Sequence, residues 1–141
     1  MDAQALLVRP YLDSDEPAVI ALWDRCNLIV PANDPRQDIR LKLQVQPDLL
    51  LVGALAGAVV ATVMVGYDGH RGWINYLAVA PEVQRCGLGR RMMQDAEALL
   101  RQRGCPKVNL QVRGSNAGVV DFYRRLGFAV EDRISLGKRL R

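Results

Sequence analysis

Two spacings of hydrophobic residues alternate along this chain. Short apolar runs predict β-strands, whereas apolar residues three or four positions apart predict helices. Seven runs are strand-like: residues 6–10, 49–55, 59–67, 72–79, 107–112, 128–130 and 133–140. Asp68-Gly69 joins the third and fourth of these runs and is a strong signal for a β-hairpin.

Helical spacing recurs in four segments. Each begins at residues that favour a helix N-terminus and ends at or near a residue that stops a helix. The segments run from Asp13 to Asn27, from Asp34 to Pro47, from Leu88 to Gly104 and from Gly114 to Gly127.

The predicted element order is β-α-α-β-β-β-α-β-α-β-β. This order indicates an α/β fold in which a central mixed sheet is flanked by helices. The strand–helix–strand unit from Trp73 to Val112 is expected to be a right-handed parallel crossover. Because the sequence has no internal repeat or linker, we expect residues 1–141 to form a single domain.

Composition indicates a globular protein. Of the 141 residues, 50% are hydrophobic and 24% are charged, a balance typical of a chain that buries a core. The longest apolar stretch, residues 49–66, is interrupted by Gly53 and Gly57 and predicts two strands rather than a membrane helix. The first residues lack the basic segment of a signal peptide, so we expect a cytoplasmic protein with no membrane partner.

Charge and cysteine content indicate whether the protein binds nucleic acid or a metal ion. A net charge of +4 is too small to indicate a nucleic-acid partner, and no nucleic-acid-binding motif accompanies it. Cys26, Cys86 and Cys105 lack metal-ligand spacing, so we expect reduced thiols and no metal site.

The strongest chemical signal follows the strand that ends near Val79. There the run Gln84-Arg85-Cys86-Gly87-Leu88-Gly89-Arg90 leads into a helix. Free N–H groups and the helix dipole favour an anion at such a helix start. Met92 stands where a dinucleotide-binding loop needs a third glycine, and Arg90-Arg91 replaces the Lys-Ser/Thr pair of a P-loop. The loop therefore predicts a pyrophosphate site of another kind.

The pattern Gln-x-x-Gly-x-Gly in this loop resembles the acyl-CoA loop of the GNAT superfamily of N-acetyltransferases. A second block, Asn109 to Asn116 followed by Phe122-Tyr123 and Gly127-Phe128, resembles the segment that closes the coenzyme site in that family. The resemblance covers residues 6–140. Within the family, this sequence is most similar to a small bacterial subgroup. Members of that subgroup have Asn-Asp-Pro near the start and Gly-Tyr-Asp-Gly-His before the central strand.

The resemblance implies an N-acetyltransferase with acetyl-CoA as co-substrate. An acceptor amine, on a small molecule, peptide or protein, would attack the thioester directly. The backbone of Leu77, Ala78 and Val79 matches the strand edge that binds the pantetheine arm, where the Leu77 N–H would polarise the thioester carbonyl. The pyrophosphate-binding residues would be Gln84, Arg85, Cys86, Gly87, Leu88, Gly89 and Arg90.

Two residues of the second block match family positions. Asn116 matches a residue that hydrogen-bonds the coenzyme, and it is equally placed to cap the following helix. Tyr123 matches the general acid that protonates the departing thiolate, while its simpler interpretation is a core aromatic beside Phe122.

A general base is not assigned. Trp73 and Gln111 stand where relatives have glutamate, which leaves Asp68, His70 and Tyr76 as candidates, or water. The region that forms the acceptor wall in relatives contains Trp23, Asn33, Asp34 and Arg36.

Two alternative functions are considered because no general base is assigned. A non-catalytic acyl-CoA-binding sensor would keep the coenzyme loop without chemistry, and an arginine-rich nucleic-acid binder is the third hypothesis. The apolar loop of residues 28–32 either covers a substrate pocket or partner surface, or packs on its own core. The resemblance also implies a homodimer as one assembly state.

Overall fold

The computed structural model describes residues 3–141, which separate into two compact units. The first unit ends at Gln111 and the second spans Val112–Arg141. No helix within residues 3–141 is both long and apolar enough to span a lipid bilayer.

A five-stranded mixed sheet forms the centre of the first unit. Its strands are β1 (Leu7–Pro10), β2 (Leu50–Leu55), β3 (Ala58–Tyr67), β4 (Gly72–Val79) and β5 (Val108–Leu110). They lie in sequence order, with antiparallel pairing from β1 to β4 and parallel pairing between β4 and β5. The predicted α/β fold with a mixed sheet is thus confirmed.

Four helices accompany the sheet. They are α1 (Glu16–Arg25), α2 (Pro35–Val45) and α3 (Leu88–Gln102) in the first unit and α4 (Ala117–Arg125) in the second. The start of α2 is defined by Asp34, whose carboxylate accepts hydrogen bonds from the N–H groups of Arg36 and Gln37. Because this N-cap sets where the helix begins, it also sets which residues of α2 face the sheet.

The core lies where α1 and α3 pack on the central strands β3 and β4. The largest fully buried side chains of the described residues are Trp23, Leu49, Leu50, Leu88, Met92 and Met93. At Gly72 the helix approaches so closely that a Cβ would lie 2.8 Å from Leu100 Cδ1. The start of β4 therefore requires glycine for packing.

A buried hydroxyl joins α1 to the two central strands. The Thr62 hydroxyl accepts a hydrogen bond from Trp23 Nε1 at 2.8 Å and donates one to the carbonyl of Tyr76 at 2.9 Å. The Trp23 indole stacks on the Tyr76 ring with a centroid separation of 3.8 Å. Since Thr62 is fully buried, water cannot replace either bond, and the network holds Tyr76 in place.

A buried ion pair joins β1 to the turn before α1. The Arg9 guanidinium donates to both carboxylate oxygens of Asp15, at 2.7 and 2.9 Å, and the Leu12 N–H donates to the same carboxylate at 2.8 Å. The hydrogen bonds from Arg9 hold the pKa of Asp15 below its usual value. The ionised form of Asp15 is therefore more stable in the folded chain than in the unfolded chain.

In the second unit, α4 is followed by chain without regular structure. The predicted strands at residues 128–130 and 133–140 are wrong, because none of the described residues after Leu110 lies in a strand. Alternating apolar residues predict a strand only if a neighbouring strand accepts their backbone hydrogen bonds. Here the side chains of Ile134, Leu136 and Leu140 are 88–92% exposed, so they are not packed in a hydrophobic core.

The first prediction concerns the buried hydroxyl. Thr62→Val keeps the shape but leaves the Trp23 N–H and the Tyr76 carbonyl without partners, so we expect it to lower the free energy of unfolding by about 2–4 kcal/mol. Thr62→Ser is the matched control, since it keeps both hydrogen bonds and loses one methyl group, at about 1 kcal/mol. Urea unfolding measures both, and a valine variant as stable as the serine variant would contradict the role of this network.

The second prediction concerns pH. Because the pKa of Asp15 is lowered by folding, its contribution to stability is present above the unfolded value of about 3.9 and is lost as pH falls through the folded value. Asp15→Asn should be less stable than wild type by about 1.5–3 kcal/mol at pH 7. This difference in the free energy of unfolding between wild type and Asp15→Asn should become smaller as the pH is lowered. Asp13→Asn, an exposed residue in the same turn, should show no such convergence in urea unfolding measured from pH 7 to pH 2.

Candidate active site

The central strand β4 carries a bulge near its end. Asn75 pairs with Met64 and Ala78 pairs with Thr62, so two residues of β4 lie opposite the single residue Val63 of β3. Within the bulge Tyr76 has φ of 50°, a conformation that costs a non-glycine residue free energy and persists only where packing enforces it. The Thr62 and Trp23 contacts supply that packing.

Beyond the bulge, one edge of β4 is open. Pairing with β5 stops at Ile74 and Leu110, so no strand among residues 3–141 pairs with residues 75–79 on that side. An extended chain with amide groups can add to such an edge through backbone hydrogen bonds. Leu77, Ala78 and Val79, the predicted pantetheine-binding residues, lie together along it, and Ala78 is buried.

The loop after β4 is anchored to the same strand. The side-chain amide of Gln84 donates to the carbonyl of Val79 at 3.0 Å, and the Cys26 thiol donates to it at 3.3 Å. The Val79 carbonyl is therefore already engaged by side chains. The contact fixes the Gln84 side chain against the end of β4.

Backbone N–H groups without helical acceptors lie where the loop becomes α3, because the first turn of a helix leaves its N–H groups unpaired. Arg85 and Gly87 have left-handed φ values of 65° and 81°, and the first helical hydrogen bond runs from the Arg91 N–H to the Gly87 carbonyl. Alternating backbone conformations of this kind form a concavity for anions. The first turn of α3, which the structure describes throughout, contains no acidic residue that would oppose an anion.

The side chains of this loop differ in whether they are exposed or already bound to other residues of the protein. Arg85 and Arg90 are exposed beside the helix start, where they can contact phosphate oxygens. The guanidinium of Arg91 instead binds Asp95 at 3.1 Å and the carbonyl of Ala3 at 3.0 Å. Cys86 is half-buried, with its thiol 3.7 Å from the carbonyl of Gln84, and has the surroundings of a packing residue.

In the second unit, Asn116 and Tyr123 occupy α4. Asn116 is exposed at the N-cap position, yet its side chain makes no capping hydrogen bond, so the side-chain amide is not committed to the helix. Tyr123 is buried and makes edge contacts with the rings of Phe122 and Phe128. Burial raises the pKa of the Tyr123 phenol to about 12, so the phenol keeps its proton at neutral pH.

Asp68, a candidate base, is hydrogen-bonded within the hairpin turn. Its carboxylate accepts 2.8 Å hydrogen bonds from the N–H groups of His70 and Arg71, and these bonds lower its pKa. His70 is exposed at the same turn. The hydrogen bonding is that of an Asx turn, which the Asp-Gly pair already predicts.

Tyr76 is bound to a residue that the sequence pattern did not single out. Its phenol donates to a carboxylate oxygen of Asp38 on α2 at 2.6 Å, and burial together with Asp38 raises the phenol pKa. With its pKa raised, the Tyr76 phenol keeps its proton at neutral pH and so cannot accept one from an acceptor amine. Asp38, on the polar side of α2, has the spacing of a solvated face, and only the packing of α2 on β4 shows that it meets Tyr76.

A cavity of about 550 Å³ opens between α2 and the strands β3 and β4. Its polar lining comprises Asn33, Asp38, Lys42, Asn75 and Tyr76, and its apolar lining comprises Leu28, Leu41, Val45 and Met64. Leu28 belongs to the apolar loop of residues 28–32, which favours the pocket-covering interpretation of that loop. The volume of the cavity is within the range of small-molecule sites, and the cavity is broadly open to solvent.

Of the four residues predicted for the acceptor wall, Asn33 lines this cavity. Trp23 is a core residue, Asp34 caps α2, and Arg36 pairs with Glu16 at 3.2 Å. Within the part of the chain that the structure describes, no group of three or more His, Cys, Asp or Glu side chains is arranged to hold a metal ion.

Comparison with known proteins identifies the family. The sequence model of the acetyltransferase (GNAT) family matches residues 13–128. Acetyltransferase SG1711 of Sodalis glossinidius is 46% identical over 134 residues, and acetyltransferase YE1169 of Yersinia enterocolitica is 44% identical over 133 residues. Each alignment covers 94% of both chains.

Solved structures show the same fold at lower identity. Ard1 from Thermoplasma volcanium superimposes with a TM-score of 0.76 at 22% identity, over 90% of this chain and 84% of that one. An aminoglycoside acetyltransferase from a soil metagenomic sample, crystallised with sisomicin, gives a TM-score of 0.75 at 21% identity over 98% of both chains. Family match, curated relatives and fold agree, and the chain belongs to the GNAT family of acetyltransferases.

Proposed function

We propose that this acetyltransferase moves an acetyl group from acetyl-CoA to the amine of an acceptor by direct attack. The observation that carries the proposal is the continuity of the open β4 edge with the N–H-lined loop, joined by the hydrogen bond from Gln84 to Val79. An extended amide chain ending in a pyrophosphate matches both halves of that surface.

The coenzyme would be held mainly by backbone groups. The pantetheine arm would pair with the edge at Leu77, Ala78 and Val79. The pyrophosphate would accept hydrogen bonds from the loop, whose proposed binding residues are Gln84, Arg85, Cys86, Gly87, Leu88, Gly89 and Arg90. Arg85 and Arg90 add positive charge where the phosphate oxygens would lie.

Leu77 would act through its backbone. It belongs to the bulge, where regular pairing with β3 is interrupted. An N–H group released from the ladder can donate to the thioester oxygen as negative charge develops there during attack. The fixed position of Tyr76 would keep this donor oriented without reorganisation.

Tyr123 would supply the proton for the leaving group. When the amine nitrogen bonds to the carbonyl carbon and the C–S bond breaks, the thiolate of CoA takes up a proton, and a buried neutral phenol is a suitable donor. Asn116, with its uncommitted side-chain amide, would hydrogen-bond the coenzyme. The proton that the acceptor ammonium loses before attack would leave through water, and the second proton, lost as the amide forms, would restore the Tyr123 phenol.

A non-catalytic acyl-CoA sensor is the second candidate. The engagement of Asp68 in its turn favours it, because the site then lacks one candidate base. It would bind acetyl-CoA tightly and release no thiol with any amine.

The third prediction tests the acid. Tyr123→Phe should lower kcat for thiol release from acetyl-CoA about a hundredfold or more, because the proton donor to the thiolate is lost. The Kd for acetyl-CoA should stay unchanged. Tyr11→Phe, which alters another buried tyrosine, is the matched control and should keep full activity. Equal kcat for wild type and Tyr123→Phe would remove Tyr123 from the chemistry, and coenzyme binding without turnover in wild type would favour the sensor.

The fourth prediction tests the loop. Gly87→Ala and Gly57→Ala place the same methyl group at φ of 81° and 82°, so each should lower the free energy of unfolding by about 1 kcal/mol. Only Gly87 lies in the proposed pyrophosphate site. Calorimetry should therefore show about tenfold weaker acetyl-CoA binding for Gly87→Ala and unchanged binding for Gly57→Ala. Unchanged binding in both variants would contradict this placement of the pyrophosphate.

A further inference from the structure

The cavity beside α2 contains two opposite charges that do not pair with each other. Asp38 and Lys42 are one helical turn apart and both line the cavity. The hydrogen bonds of each side chain go to other residues, Asp38 to Tyr76 and Lys42 to Gln46 and β3. Two such charges on one wall can bind a ligand that carries both signs.

The Asp38 carboxylate has capacity left for a cation. One of its oxygens accepts the Tyr76 phenol at 2.6 Å, which fixes the carboxylate against β4. A carboxylate can accept about four hydrogen bonds, so several acceptor positions remain. An ammonium group is the donor that fits a fixed, half-buried carboxylate best.

The Lys42 ammonium has capacity left for an anion. It donates to Gln46 Oε1 at 3.1 Å and to the carbonyl of Val65, which uses two of its three N–H groups. Burial lowers the pKa of Lys42 to about 8, with Asp48 raising it and Arg103 lowering it further. The group is therefore predominantly a cation at pH 7 and would gain from a carboxylate nearby.

The rest of the cavity is suited to an apolar group. Leu28, Leu41, Val45 and Met64 line it, and Leu41 and Val45 are 40% and 74% exposed. These side chains would lose contact with water if a ligand with a hydrocarbon portion occupied the cavity.

We propose that the acceptor is a zwitterionic amino acid with an apolar side chain. Its amino group would bind at Asp38, its carboxylate at Lys42, and its side chain among the apolar residues. This inference rests on the proposed function and names the substrate class of the same site. In the reaction the ammonium first loses a proton to water, and the neutral nitrogen then bonds to the acetyl carbon. The C–S bond breaks, the CoA thiolate takes a proton from Tyr123, and the second proton that the nitrogen loses as the amide forms restores the Tyr123 phenol.

The fifth prediction compares matched acceptors in the full-length protein. Phenylalanine, leucine and methionine are each tested against their amides and their decarboxylated amines, with thiol release from acetyl-CoA as the readout. A series of ω-amino acids of increasing length then measures the spacing of the two charges. We expect the free acids to have a kcat/KM about ten- to a hundredfold higher than their amides, as for one charge-assisted contact.

Variants assign the two charges separately. Lys42→Met should abolish the preference for acid over amide, and because this preference is a ratio within one preparation, partial unfolding does not change it. Asp38→Asn, which still accepts the Tyr76 hydrogen bond, should raise KM for acids and amides by the same factor. Arg40→Met alters an exposed cation on the same helix and should leave the ratio unchanged.

The outcomes separate this inference from the proposed function. Equal use of acids and amides, or a preference that survives Lys42→Met, would overturn the amino acid acceptor and leave acetyl transfer standing. Coenzyme binding with no thiol release from any acceptor would overturn both the acceptor class and catalysis. Failure to bind acetyl-CoA would overturn the coenzyme site itself.

Discussion

The Thr62 hydroxyl is the contact on which the arrangement of the first unit depends. It lies between the Trp23 N–H and the Tyr76 carbonyl, with no water to replace either bond. Tyr76 is thereby held in a left-handed conformation inside the β4 bulge. Tyr76 precedes Leu77 on the open edge of β4, and its phenol lines the cavity beside α2, so one buried network supports both surfaces.

The two sites on the first unit use different kinds of polar group. The loop before α3 offers backbone N–H groups at the helix start, so its chemistry depends on conformation more than on side-chain identity. The cavity beside α2 depends on the side chains of Asp38 and Lys42. The two surfaces can therefore change separately, because side chains can change without altering the backbone of the loop.

Short-range patterns predicted much of what the structure contains. The Asp34 cap, the Asp68-Gly69 turn and the loop from Gln84 to Gly89 each depend on residues within a few positions of one another. The prediction of strands at residues 128–130 and 133–140 was wrong because it needed more than local sequence. Alternating apolar residues describe a single segment, whereas a β-strand forms only when it pairs with another strand.

The sequence by itself determined the element order through residue 127, the helix ends and the glycine-bearing loop before α3, because these follow from local backbone preferences and hydrophobic period. Only the tertiary structure decided which polar side chains meet. Trp23 reaches Thr62 across 39 positions and Tyr76 reaches Asp38 across 38. Such contacts depend on how α1 and α2 pack against the sheet, and a polar residue on a helix face has the same spacing whether it faces solvent or a cavity.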